Sequence, residues 1–132
     1  MDLPAVPNVG AFNADPGALI GDGESNTTAI LSAGNCPTHT AALACVNYMG
    51  GSHNDWHLPS IQELISMRDN IGIRATGANM NIGQFEEAIY VSSSELDDDQ
   101  AWFLRFEDVA GLGLGSFFKN SGSFRVRPIR AF

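Results

Sequence analysis

One ten-residue stretch, DWHLPSIQEL at 55–64, constrains this chain more than any other. Ser60 and Glu63 form an S-x-x-E capping box, in which each side chain satisfies a backbone N–H of the other residue. Pro59 stands directly before the cap and fixes the entry of the chain. A helix over 60–70 follows. Ile61, Leu64, Ile65 and Arg68 fall on one face of it, with Met67 and Ile71 beside them. Trp56 sits just ahead of the helix entry, where a large aromatic packs as a core or loop anchor rather than stacking on a ligand.

The other elements are placed around that helix. Residues 1–24 are rich in Pro, Gly and Asp, and 1–20 read as an extended arm with a short strand around Val9–Phe12. Asn26–Ala33 predicts a short helix, which the GNCP run breaks. Thr38–Met49 predicts a second helix, capped by Thr38 and stopped by Gly50 and Gly51. Its stripe is Ala41, Cys45, Tyr48 and Met49. Beyond residue 72 the pattern turns loop-like and then takes period two. Ile89–Ser93 is a short strand. Along Ala101–Glu107, Trp102, Leu104 and Phe106 face one way while Phe103, Arg105 and Glu107 face the other. Phe117–Lys119 and Phe124–Arg130 predict a closing hairpin with its turn at Asn120–Gly122. Pro128 must then face an edge or a bulge. Helices followed by short strands give an α+β fold with an antiparallel sheet. A length of 132 residues suits one core, so 21–132 reads as one domain.

The net charge is −8, which excludes nucleic acid as the main partner, since phosphate binding needs surplus Lys and Arg. Anionic membrane surfaces are excluded on the same ground. No stretch approaches about 20 apolar residues, so no membrane insertion is expected. The opening residues have no basic n-region and no apolar h-region. Either a signal has been removed or the protein leaves the cell another way, as a virion component does.

Several side-chain groups are candidate sites. Glu95, Asp97, Asp98 and Asp99 form the sharpest polar cluster, and closely spaced carboxylates are what calcium takes. The run departs from the EF-hand pattern, so the alternative is an acidic surface loop. His39, His53 and His57 lack helical metal-ligand spacing and read as a surface-exposed trio. Ser92, Ser93 and Ser94 sit in no nucleophile elbow and read as hydroxyls bonding a strand end. Cys36 and Cys45 suit no zinc motif; a local disulfide and two free thiols both remain open. Arg125, Arg127 and Arg130 are expected to pair with the acidic loops at 95–99 or 107–108 rather than to bind an anion. The Gly-rich, aromatic stretch 107–123, with Phe117, Phe118, Lys119 and Asn120, is the candidate ligand-binding region, because loops on a rigid sheet carry recognition.

A wider pattern joins these pieces. Gly21–Gly23, Asn26–Thr27, Ile30, Ala44–Cys45, Tyr48, DWHLPSIQEL, YVSSSE at 90–95, AWFLRF at 101–106 and RVRPIRAF at 125–132 occur in one order. In that order the chain resembles the DUF1566 family, which includes the C-terminal domain of the Legionella collagen-like adhesin. The resemblance runs from Gly21 almost to the end, with Val91 standing where members usually carry Trp. It implies a C-type-lectin-like fold, akin to the formylglycine-generating enzymes, with two helices flanking a twisted antiparallel sheet and paired terminal strands. It also implies that Trp56, Leu58 and Leu64 are core, and that 107–123 faces the ligand. The similar adhesin domain is trimeric and binds sulfated polysaccharides through a basic face. At −8 this chain offers none, so the expected ligand is more generally a glycan or a protein receptor.

Two functions follow as expectations. The first is a non-enzymatic recognition domain of the adhesin or phage receptor-binding type, located outside the cell, on its surface or on a virion. The second is a virion decoration or tail assembly protein, in which the arm and the terminal strands touch neighbouring subunits. Both favour a homo-oligomer, a trimer by resemblance. Copper-dependent oxidation, as in the enzyme branch, needs a cysteine pair in the C-terminal core. Cys36 and Cys45 lie too early, so no enzymatic activity and no resident cofactor other than calcium is expected.

Overall fold

The computed structural model describes residues 18–33, 39–96, 100–107, 113–118 and 124–131. Within them run α1 (Gly23–Ala33), α2 (His39–Val46), α3 (Ile61–Asn70), β1 (Ile89–Glu95), β2 (Gln100–Arg105) and β3 (Leu114–Phe118). The strands form one antiparallel sheet in the order β1-β2-β3. The fold is α+β, as the element order implied.

The capping box is present. Ser60 Oγ accepts from the Glu63 N–H at 3.2 Å, and Glu63 Oε1 accepts from the Ser60 N–H at 2.8 Å. Both side chains also reach back to the start of the domain. The Ser60 hydroxyl donates to the Leu19 carbonyl at 2.8 Å, and Glu63 Oε2 accepts from the Gly21 N–H at 3.2 Å. Gly23, which opens α1, lies so close that a Cβ there would meet the Glu63 carboxylate and come within 2.8 Å of the Leu58 carbonyl. The cap is therefore also a joint between α1 and α3.

Two helix boundaries differ from expectation. α1 begins three residues before Asn26, because the Asp22 carbonyl accepts the first helical bond from the Asn26 N–H at 2.9 Å. α2 stops at Val46, short of Met49. Its inward residues are Ala42 and Cys45, while Tyr48 and Met49 are exposed, so the expected stripe breaks after Cys45. A short 3₁₀ turn, Gly50–Ser52, follows instead, and Gly51 takes a φ of 66° there.

The sheet separates two apolar clusters by the period-two alternation of its strands. On one face Tyr90, Trp102 and Leu104 pack with Ile61 and Leu64 of α3, and with Phe85 and Phe106. On the other, Val91 packs with Ile30 of α1, Ala42 and Cys45 of α2, and Leu58. Trp102, Leu104 and Phe106 all point inward, as the sequence alternation required. Arg68 is 1% exposed on the α3 face, donating to Asp69 Oδ1 at 3.1 Å; burial pulls its pKa down.

β1 and β2 fall out of register between Val91 and Glu95. Ser92 spans the irregularity: its hydroxyl donates to the Trp102 carbonyl at 2.8 Å and accepts from the Ser94 N–H at 3.1 Å. The next two serines turn toward the helix entry. The Ser93 N–H donates to the Pro59 carbonyl at 2.8 Å, and Ser94 Oγ accepts from the Ile61 N–H at 3.0 Å. All three are buried, and their hydroxyls bond a strand end as expected.

The expected closing hairpin is corrected. β3 pairs with β2, whereas Arg125 bridges Tyr90 of β1 in parallel. The Val91 N–H donates to the Arg125 carbonyl at 3.1 Å, and the Arg125 N–H to the Ile89 carbonyl at 2.9 Å. Farther on, Ile129 bridges His57 through two backbone bonds of 2.8 and 3.0 Å. The C-terminal segment thus seals the outer edge of β1, where sheet bonds were still unfilled. The turn at 120–122, the strand at Val9–Phe12 and residues 1–17 of the arm expected over 1–20 lie outside the described residues; of its last three residues, Ala18 is fully buried in the core cluster.

Ser60→Ala removes the cap and the bond to Leu19 together; a loss of about 1–2 kcal/mol is expected in urea unfolding. Ser94→Ala leaves the Ile61 N–H buried without its acceptor. It should cost about 1–3 kcal/mol in the same assay, more than an exposed control such as Ser66→Ala.

Candidate functional site

The joint between the 55–64 stretch and the C-terminal segment opens a cleft. It lies between α3, the loop 48–56 and residues 127–130, with a volume of about 750 Å³. That is the size range of small-ligand and peptide-anchor sites, roughly 300–1,000 Å³. Its walls are mostly apolar: Tyr48 and Trp56 on one side, Phe85 at the base of another, with Ile20, Met67 and Ile71 around them.

Trp56 is held in place by the backbone, and Tyr48 packs against it. The Trp56 indole N–H donates to the Gly50 carbonyl at 3.2 Å, and the Tyr48 ring meets it edge-on at 5.0 Å and 74°. Gly51, with its positive φ, turns the chain tightly between them. Tyr48 remains 47% exposed at the mouth. α2 ending at Val46 is what releases this ring from the helix and leaves it at the cleft.

The charged lining groups are engaged within the fold. Glu63 holds the backbone of Ser60 and Gly21. Arg127 lies over the Phe85 ring at 4.1 Å and donates to the carbonyls of Gly83 and Gln84 at 2.8 and 3.3 Å. Arg130 forks onto Asp55, Nε to Oδ1 at 2.7 Å and the second nitrogen to Oδ2 at 2.9 Å. The Arg130 hydrogen bond holds the Asp55 carboxyl below the usual carboxylate range and raises the guanidinium in return. Arg125 pairs with Glu86. Among the described residues the three arginines pair with Glu86, with backbone carbonyls and with Asp55; of their expected acidic partners, 97–99 and 108 lie outside the described residues. Glu107 faces Arg105 instead, at 3.7 Å.

Of the expected site residues, the described ones (Glu95, Phe117 and Phe118) lie outside the cleft lining. Phe117 is half-buried against Phe124, ring centroids 4.5 Å apart, as part of the α1–α2 face. Phe118 is 58% exposed on β3. Lys119 and Asn120 lie outside the described residues. So do Asp97, Asp98 and Asp99, while Glu95 is buried at the end of β1. Among the described residues no three His, Cys, Asp or Glu side chains are grouped to hold a metal ion. Among them, too, no helix is long and apolar enough to cross a membrane.

The histidine trio is corrected at His57, which is 5% exposed with Nδ1 lacking a hydrogen-bond partner. His53 is exposed at the cleft. Leu58 and Leu64 are fully buried, whereas Trp56 is half-buried and faces the cleft. Cys45 is a free, buried thiol pushed up to about 12 by burial; Cys36 lies outside the described residues. The cleft itself escaped the sequence reading. Its signal was present as Asp55 and Trp56 in one landmark and Arg127 and Arg130 in the other, but nothing local says that they meet.

Two measurements check this geometry. In a Cys36→Ser variant, Cys45 should stay unreactive toward a thiol reagent at pH 8 and react fully once the chain is unfolded. The folded Asp55 pKa is depressed, so its contribution is present above the unfolded carboxylate value and lost as pH falls through the folded value. Asp55 is exposed and its charge is screened by solvent, so the stability change is small. A carbon-detected NMR titration should show Asp55 below its usual value in the wild type and back at it in Arg130→Gln.

Comparison with protein-family models, with curated proteins and with solved structures finds no match to this chain.

Proposed function

We propose that this chain is a non-enzymatic recognition domain, of the adhesin or phage receptor-binding type, which binds a glycan or a protein receptor. The observation that carries the reading is the cleft of about 750 Å³, walled by Trp56, anchored to the Gly50 carbonyl, and by the Tyr48 ring set edge-on against it. Rigid aromatic surface with little side-chain entropy left to lose is what recognition sites use. The polar side chains Glu63, Arg127 and Arg130 serve the fold rather than a reaction. This moves the binding surface from the loops 95–99 and 107–123 to the joint between the two landmarks.

The finer assignments belong to the same proposal. A C-type-lectin-like arrangement of the DUF1566 kind is supported by helices on both faces of an antiparallel sheet and by a C-terminal segment paired back on β1. Such a domain acts outside the cell, at its surface or on a virion, as a homo-oligomer with three copies favoured. Calcium remains a candidate ligand of the run 95–99.

Glycan-array and receptor-binding assays with wild type and Tyr48→Ala test the reading. A ligand bound by the wild type should lose at least tenfold in affinity in Tyr48→Ala, with the melting temperature unchanged because the ring is half-exposed. Full affinity in Tyr48→Ala removes the cleft from recognition.

The assembly reading keeps one observation of its own. β3 is the last strand in the order β1-β2-β3 among the described residues, and Phe118 on it is 58% exposed. Association that Phe118→Ser abolishes, with no ligand found for the cleft, favours it.

A further inference from the structure

The walls of the cleft leave large apolar side chains in solvent. Ile20 is 61% exposed and Ile71 39%, and both line it together with Tyr48. Covering such surface is what drives association. The polar side chains of the walls are committed instead. The Trp56 indole N–H, both Glu63 oxygens, Arg127 and Arg130 bond partners within the fold, and Ser66 Oγ accepts from the Asn70 amide at 3.2 Å.

A glycan and a protein fit this lining unequally. A sugar ring carries hydroxyls on most of its carbons, and each one that loses water without gaining a partner weakens binding roughly tenfold. Seated in the cleft, it would compete for groups that already hold the helix cap and the C-terminal segment. Apolar side chains of a protein make no such demand.

Charge narrows the partner further. Residues 18–67 hold four Asp or Glu and no Lys or Arg. They supply the loop 48–56 and the first turns of α3, which make most of the cleft wall. Arg127 and Arg130 on the facing wall offset only part of that charge, and the whole chain stands at −8. Such a surface steers cationic partners in and turns anionic ones away.

We propose that the cleft takes a segment of a protein receptor in which large apolar side chains are flanked by Lys or Arg. This rests on the cleft being the recognition surface, and it names what that surface recognises. Gly50 sets the anchor wall. A Cβ there would meet the Tyr48 ring and hydroxyl. Gly50, unlike Gly51, has no positive φ, so alanine at 50 displaces the ring without straining the backbone.

The test selects bead-displayed random peptides on the full chain and screens the same chain on an array of neutral oligosaccharides. Selected peptides should be enriched in large apolar residues beside Lys or Arg. Their affinity should fall at least tenfold in Gly50→Ala and in Tyr48→Ala at unchanged melting temperature, and should weaken as sodium chloride is raised. Where Gly50→Ala lowers the melting temperature, Tyr48→Ala alone decides. No enrichment, enrichment in Asp or Glu, or an affinity indifferent to salt overturns the proposal. An oligosaccharide bound by wild type and lost in Tyr48→Ala, with no peptide selected, keeps the cleft as the recognition surface and overturns only the protein partner. Binding of either kind that Tyr48→Ala leaves intact removes the cleft itself.

Discussion

Three consecutive buried hydroxyls, Ser92, Ser93 and Ser94, hold the architecture at its weakest point. β1 loses register with β2 there, and a buried irregularity leaves backbone groups without ladder partners. Ser92 donates across to the Trp102 carbonyl and accepts from the Ser94 N–H of its own strand. Ser93 and Ser94 supply the same to Pro59 and Ile61, and Asn26 of α1 donates to Ser93 Oγ at 3.1 Å. One polar knot therefore ties the sheet, α1 and the entry of α3 between two apolar layers. Buried polar networks of this kind specify geometry when fully satisfied and cost heavily when broken.

The cleft depends on that knot. Pinning Pro59 and Ile61 to β1 places Trp56 and Asp55 beside the path of the C-terminal segment. That segment then fills the remaining outer edge of β1 at Arg125 and returns to His57 at Ile129. Residues 127–130 of that segment and Glu63, Ser66 and Met67 of α3 line the cleft together. Arg127 and Arg130 brace it from either end, one on a ring and two carbonyls, the other on a carboxylate. An edge sealed in this way is also closed to pairing with another chain.

Local signals were well read from the residues alone. The capping box, the alternation through Trp102, Leu104 and Phe106, and the bonding role of the serines all depend on neighbours within a few positions. Boundaries were less legible. Asp22 starts α1 early, and no local stop signal announces the end of α2 before the glycines. The hairpin expectation failed because a turn-like sequence at 120–122 permits strand pairing without choosing the partner. The choice was made by the vacant edge of β1, whose position depends on residues more than thirty places earlier in the chain.

The sequence by itself determined the class of fold, the start of α3 and the inward faces of the strands, because capping and periodicity act over one or two turns of chain. It also placed Trp56 and the terminal arginines as landmarks. Only the tertiary structure decided that these landmarks face one another, since Asp55 and Arg130 are separated by 75 positions and joined by a fork of two hydrogen bonds. It decided, too, that Tyr48 leaves its helix for the cleft while Phe117 joins the core. Side chains that the linear pattern treats alike are sorted by what packs against them, and that is a property of the assembled layers.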